Sequence, residues 1–287
     1  MLPTKLIFSG TSFIILSFLS CNSNSTTEPE SVAKDTATVQ VATTSVRPVH
    51  WNYSEEGGPA GWGNLTPVYA LCGSGTSQSP INLLPNAGKG TPDWKVEYKT
   101  TSLQIAHNQH VEELINNGHT IQVTPQEGSS ITYNGKIYHL KQFHFHTPSE
   151  HTVDGKHSLM EIHLVHQADD ESLAVIGVLV KEGKHNSNFD MLIKHLPNAP
   201  GEKKTHDSVD IDIAIHVPKD LYAYHYIGSL TTPPCSENVQ WLVLRNPISM
   251  SNEQVTAFAS RLKNNNRPPQ PVNERTLTID DITAKNN

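Results

Sequence analysis

The sequence predicts a mainly β fold: a sheet protein with a few short helices at its periphery. Three observations carry this expectation. Short runs that alternate apolar and polar residues, or stay apolar throughout, recur along most of the chain. Turn residues separate those runs. Only two segments carry the spacing of an amphipathic helix.

The β-type runs are "SLQIAH" (102–107), "TIQVT" (120–124), "SITYNGKIYHL" (130–140), "MEIHLVHQ" (160–167), "LAVIGVLVK" (173–181), "VDIDIAI" (209–215), "YAYHYIGSL" (222–230) and "VQWLVLR" (239–245). Asn134-Gly135 sits between two of them as a type I′ hairpin signal. The first helical segment, "SNFDMLIKHL", puts Phe189, Leu192, Ile193 and Leu196 on one face. The second, "SNEQVTAFASRL", spaces Ser251 and Gln254 as a capping box and aligns Val255, Phe258, Ala259 and Leu262.

The chain has 287 residues and a formal net charge of −7, which argues against a nucleic-acid binder. Sixteen histidines are many for this length and point weakly to metal or proton chemistry. Residues 48–282 read as one domain with no composition break, followed by a tail at 283–287. The first 21 residues read as a signal sequence. Lys5 precedes the apolar run "LIFSGTSFIILSFLS", too short and interrupted for a membrane span. "FLSC" resembles the lipobox of bacterial lipoproteins, with Phe18 in place of the usual Leu and Cys21 as the lipidated residue. Residues 22–47 lack aromatics and cannot bury enough apolar surface to offset ordering entropy, so they read as a disordered tether. The expected location is outside the cytoplasm, periplasmic or at the cell surface, anchored through lipid at Cys21.

Setting Cys21 aside leaves Cys72 and Cys235 as an even pair, where exported proteins form disulfides. Closing so long a loop stabilises by roughly 5 kcal/mol in the chain-entropy view. Two buried free thiols are the alternative.

The densest chemistry lies in "KQFHFHTPSEH" (141–151). On a strand, Gln142, His144 and His146 share one face while Phe143 and Phe145 take the other. Two imidazoles so placed can ligate one metal, and an open zinc site needs a third protein ligand. "EIHLVH" offers His163, with Glu161 on the same strand face and His166 opposite. Gln142 and Glu161 each lie two residues from a ligand, where each could orient an imidazole on the adjacent strand. A lone strand histidine is usually only a polar surface or core residue, and H-x-H alone is a weak motif. A cupin is the rival: "HFHTPSE" fits its first metal motif, with Glu150 a ligand to iron, manganese or zinc. Its second motif is missing after Gly155.

Several separated blocks fall in the order found in the α-class carbonic anhydrases, and the chain resembles their bacterial form from about His50 to Asn273. The blocks are "HWNY", "GWGNL", "QSPINL", "NNGH", "QFHFH", "SEH", "EIHLVH", "GSLTTPPCSENVQWLVL" and "RPPQPVN". The resemblance implies a large, twisted, mostly antiparallel central sheet, Zn2+ as cofactor, and carbon dioxide and bicarbonate as substrate and product. It implies His144, His146 and His163 as zinc ligands, with Gln142 and Glu161 as their outer partners. Thr231 would orient the attacking hydroxide, Glu150 would hold Thr231, and His119 would shuttle the proton. Tyr53 and Asn116 would order the water chain. Leu164, Val175, Leu230, Val239 and Trp241 would line the pocket, with Thr232 beside the substrate. Cys72 and Cys235 match the disulfide of bacterial members. The connection between "HFH" and "SEH" is only "TP", as in bacterial members.

On spacing alone, His119 reads equally well as a surface histidine, Thr231 as a turn residue and Glu150 as a surface carboxylate. His107, His110, His139, His151, His157 and His166 carry no assigned role. A zinc- or ligand-binding surface protein that has lost catalysis is the second functional reading, although such relatives typically lack a ligand histidine. Membrane contact is expected only through the N-terminal lipid. The oligomeric state is open, a dimer being one option.

Overall fold

The computed structural model describes residues 49–54, 56–87, 104–106, 111–133, 135–204 and 222–281. Cys21 and the segments expected at 1–21 and 22–47 lie outside the described residues. So do the strand expected at 209–215, Asn134 of the hairpin signal and the tail at 283–287.

The strands in chain order are β1 (Asn82–Leu83), β2 (Gln104–Ala106), β3 (Val111–Asn116), β4 (Ile121–Pro125), β5 (Ser130–Tyr133), β6 (Lys136–His146) and β7 (Thr152–Val153). There follow β8 (Lys156–His157), β9 (Met160–Gln167), β10 (Leu173–Glu182), β11 (Lys203–Lys204), β12 (Tyr222–Ser229), β13 (Glu237–Met250) and β14 (Thr278–Asp281). One large sheet runs in the order β11-β3-β4-β6-β9-β10-β13-β12-β14, with β5 also on β6 and β2 on β5. Its described pairings are antiparallel except β10 with β13, which is parallel. β1, β7 and β8 form a small separate sheet.

Alternation sorts the large sheet into two faces. Phe143 and Phe145 of β6, Ile162 and Leu164 of β9, and Ile176 and Val178 of β10 point into one core, closed by Phe258 and Leu262. The ring centroids of Phe145 and Phe258 lie 4.5 Å apart. Burying side chains of this size contributes about 1.5–3 kcal/mol each. The opposite face carries Val175, Tyr224, Tyr226, Val239, Trp241 and Val243 as a second cluster. His144 and His146 of β6 and His163 of β9 share that second face.

One irregularity sets this arrangement. The β6–β9 register shifts between Leu140 and Gln142, so Lys141 is an extra residue on β6. Such a bulge resets the alternation. Leu140 and Phe143 therefore share a core although they are three residues apart, and the Gln142–His144–His146 face turns the other way.

The helices are α1 (Trp62–Leu65), α2 (Leu71–Ser74), α3 (Asp190–Lys194) and α4 (Asn252–Leu262). Ser251 caps α4 with the expected reciprocal box to Gln254, and Val255, Phe258 and Leu262 are buried. The segment at 187–196 begins as a 3-10 turn (Ser187–Phe189) before the short α3, with Phe189, Leu192 and Leu196 buried. Cys72 on α2 is joined to Cys235, Cα to Cα 5.1 Å, beside buried Trp62 and Tyr69.

Candidate metal centre

The β6–β9 register places His144 directly across from His163 and His146 across from Glu161. Residues directly opposite one another share a face, so three imidazoles converge from two neighbouring strands. Their ring centroids are 5.0, 5.2 and 4.6 Å apart. One nitrogen from each lies within 4.8 Å of the others. Tetrahedral zinc with bonds of about 2.0–2.1 Å wants ligand nitrogens about 3.4 Å apart, within reach of small ring rotations. Glu150 is not among the converging atoms, unlike the carboxylate ligand of the cupin reading.

Each ring is held from behind. His144 Nδ1 lies 2.8 Å from Gln142 Oε1, which leaves Nε2 free to face inward. His146 Nδ1 donates to the Asn265 carbonyl at 2.6 Å, and its Nε2 is buried with no hydrogen-bond partner. His163 Nε2 lies 3.0 Å from Glu161 Oε1, a close but poorly aligned contact. An orphaned imidazole nitrogen in a buried three-histidine cluster is the donor set that zinc takes, so the residues fit that metal. The sequence-based expectation of cross-strand orientation is corrected here. Gln142 and Glu161 act along their own strands, because side chains two residues apart on one face are near enough for a long carboxamide or carboxylate to reach.

Electrostatics favour ligation. Burial lowers the pKa of all three imidazoles: well below 6.5 for His144, to about 4 for His146, and downward for His163. They are therefore neutral near pH 7, the form that binds metal. Burial pushes the Glu161 carboxyl up, but His151 and His163 overcome it and hold it well below the usual range. Glu161 Oε2 also accepts the main-chain N–H groups of Glu150 (2.9 Å) and His151 (2.8 Å).

Glu150 is wholly buried, and burial raises its pKa to about 7 against the opposing pull of His163, the Arg267 N–H and the Thr231 hydroxyl. The Arg267 N–H donates to Oε1 at 2.8 Å, and Oε2 keeps no well-aligned bond. Arg267 is itself buried, and its guanidinium donates to the Cys72 carbonyl, the Ser79 carbonyl and Gln78 Oε1. The turn bearing Thr231 and Thr232 is closed by the Cys235 N–H on the Thr232 carbonyl at 2.9 Å.

Beside the imidazoles lie Val175, Val239 and Trp241, with Leu230 packed against them; the Trp241 and His163 rings are 4.8 Å apart. Leu164 is not there. It is one residue from His163, so alternation sends it to the opposite core against Phe143. Val165, two residues from His163, takes its place on the metal face. His119 stacks on Trp51, 3.7 Å between centroids and 14° from parallel. Burial, then the neighbouring His50, lower its pKa below 6.5. Tyr53, Asn116 and His119 line one hollow. Asn116 is buried, and its Oδ1 accepts the Gly118 N–H at 3.0 Å.

Two residues have a place that sequence reasoning missed. His151 is buried between Glu161 Oε1 (2.7 Å) and the Tyr226 hydroxyl (2.6 Å). Gln122 pairs with His144 across β4 and β6, so it shares the metal face. The β4–β6 alternation carried the signal for Gln122; nothing local signals His151.

Sheet and site together define a metalloenzyme class: three neutral imidazoles on an open β sheet, at the edge of an apolar pocket. The family described as eukaryotic-type carbonic anhydrase matches residues 57–280. A carbonic anhydrase from Pectobacterium carotovorum is 38% identical over 232 residues, covering 80% of this chain and 90% of its own. One from Nostoc sp. is 40% identical over 239 residues, covering 82% and 87%. The solved α-carbonic anhydrase of Thermovibrio ammonificans, in complex with the inhibitor sulfanilamide, aligns with a TM-score of 0.75 at 39% identity. It covers 81% of this chain and 100% of its own. The chain belongs to the α-class, or eukaryotic-type, carbonic anhydrase family.

Proposed function

We infer that the protein catalyses the reversible hydration of carbon dioxide to bicarbonate and a proton, as a carbonate dehydratase. The observation that carries this reading is the convergence of three neutral imidazoles beside an apolar pocket. In the reading, His144, His146 and His163 hold zinc. When bound, zinc supplies the Lewis acidity that brings the pKa of water to about 7, a figure known from carbonic anhydrases as a class.

The chain's own groups then divide the work. Three neutral ligands leave the charge of the metal undiluted, and Gln142, Asn265 and Glu161 fix the ring orientations. Glu150 would take the hydrogen of the Thr231 hydroxyl, so that Thr231 accepts from the attacking oxygen and aims its lone pair. Val165, Val175, Leu230, Val239 and Trp241 would hold a neutral, nonpolar gas and disfavour the bicarbonate anion, with Thr232 beside it. His119 would carry the released proton outward, since imidazole is the side chain whose ordinary titration range lets it accept and release a proton near neutrality. Tyr53 and Asn116 would help order the water between.

The reading extends to the N-terminus: a signal sequence with lipid on Cys21, a tether at 22–47 and a catalytic domain at 48–282, placed in the periplasm or at the cell surface. Mass spectrometry of the mature N-terminus tests that part, and an unmodified Cys21 would end it. The activity itself is tested by stopped-flow hydration with and without a zinc chelator. Loss on chelation and return on adding zinc is expected; a rate indifferent to the chelator would refute the metal reading.

A further inference from the structure

The turn that carries His119 is tied to the strand that carries two of the metal-site imidazoles. β4 and β6 pair at Gln122 with His144 and at Val123 with Phe143. The described pairing goes no further toward the turn. Where it ends, the Thr120 side chain stands in for main chain. Its Oγ1 donates to the Phe145 carbonyl at 2.6 Å and accepts the Phe145 N–H at 3.2 Å. On the other side of Thr120 the chain reverses, with Gly118 at φ 89°, a conformation open to glycine. Asn117 Oδ1 accepts the N–H groups of His119 (3.0 Å) and Thr120 (2.9 Å), which closes the turn on itself.

Asn265 ties the same turn from a second direction. A carboxamide nitrogen has two hydrogens, and both are used: on the His119 carbonyl at 3.0 Å and on the Phe145 carbonyl at 2.8 Å. Its Oδ1 accepts the Thr147 N–H at 2.9 Å. The Thr120 and Asn265 side chains are buried, where an unmade hydrogen bond is costly. Phe145 stands between His144 and His146, so both ties refer the turn to the backbone of the metal-site strand.

We propose that Thr120 and Asn265 are positioning residues for proton transfer, clamping the turn of His119 at a fixed separation from the metal-site imidazoles. The inference rests on reading His119 as the proton carrier. A misplacement of about 1 Å can cost about a hundredfold in rate, so a carrier on a loose turn would serve poorly. The clamp acts on the main chain beneath His119, while the ring lies outside it, stacked on Trp51.

The test uses the zinc-loaded protein with Thr120→Val, which keeps the side-chain shape and removes the hydroxyl, and with Asn265→Ala. Proton release follows departure of bicarbonate, so it weighs on kcat and not on kcat/KM. In dilute buffer Thr120→Val should lower kcat about tenfold while kcat/KM stays within about twofold, and added imidazole should restore kcat. Asn265→Ala should lower kcat by more than it lowers kcat/KM. Adding Thr120→Val to His119→Ala should cost no further kcat, since the clamp acts only through that ring. A readout apart from turnover is amide exchange: the His119 N–H should exchange about tenfold faster in Thr120→Val. In the wild-type protein both Nδ2 hydrogens of Asn265 should exchange at least about a hundredfold more slowly than those of an exposed asparagine. That measurement and Thr120→Val decide the matter even if Asn265→Ala does not fold. Loss of kcat and kcat/KM in equal measure in Thr120→Val, a further loss in the double variant, or Nδ2 exchange at the exposed rate would overturn the clamp. If His119→Ala slows turnover and Thr120→Val does not, the shuttle stands and the clamp falls. If His119→Ala leaves kcat at the wild-type level, the shuttle reading falls and the proposal with it.

Discussion

Gly177 lies directly across from His163 in the β9–β10 register, and a Cβ at Gly177 would come within 2.9 Å of Glu161 Oε1. The missing side chain makes the space in which Glu161 supports a metal-site imidazole. Val243 closes the same space, 3.2 Å from that Cβ position. Gly177→Ala must therefore displace the carboxylate or the valine. Overpacking of this kind costs about 1–3 kcal/mol, and disturbing the outer partner of a ligand weakens metal binding about 10–100-fold. Chelator competition should show the weaker zinc affinity and calorimetry the lower melting temperature. Wild-type values in both would mean that the close contact relaxes without consequence.

His119→Ala should leave zinc in place and slow turnover about tenfold or more in dilute buffer, the scale expected for losing a positioned proton carrier. Added imidazole should restore part of the rate. Equal rates at every buffer concentration would remove His119 from the proton path.

Acid should destabilise the metal-free protein. The three metal-site imidazoles titrate below 6.5 when folded, so the unfolded chain binds their protons first and stability falls as pH drops from 6.5. For His146, the fall to about 4 corresponds to at most about 3 kcal/mol. Glu150 works in the other direction. Raised from 4.5 to about 7, it contributes stability that is full below 4.5 and is lost as pH rises through 7. Three groups outweigh one between pH 4.5 and 6.5. Melting temperature measured in chelator should fall across that window on acidification. A flat or rising trend would show that these imidazoles are not held neutral by the fold.

Cutting the Cys72–Cys235 bond, by Cys72→Ser with Cys235→Ser, should lower stability by up to roughly 5 kcal/mol. It should also lower activity, since Cys235 closes the Thr231–Thr232 turn and the Cys72 carbonyl anchors Arg267, whose N–H holds Glu150. Urea unfolding with hydration rates checks both. Unchanged stability would indicate that burial of Trp62 and Tyr69 alone holds this corner.

Strand alternation was enough to read the metal face in advance, because "HFH" and "EIH" each carry their chemistry at period two. Leu164, placed in the pocket by the resemblance, departs from the same rule: its odd spacing from His163 sends it to the other core and leaves Val165 on the metal face. The bulge at Lys141 has no local signature, yet it decides that Leu140 and Phe143 share a core. β3, "VEELIN", alternates too weakly to be legible as a strand. The rest depended on distant partners. His146 is held by the carbonyl of Asn265, 119 residues on, and His151 by Tyr226, 75 residues on. A backbone carbonyl carries no residue-type signal at all.

The most direct test pairs zinc content per chain with carbon dioxide hydration rate, in the wild-type protein and in His144→Ala. The expected result is about one zinc per chain and rapid hydration in the first, and loss of both together in the second. Full hydration by His144→Ala, or a wild-type protein that is active with no zinc bound, would contradict the account.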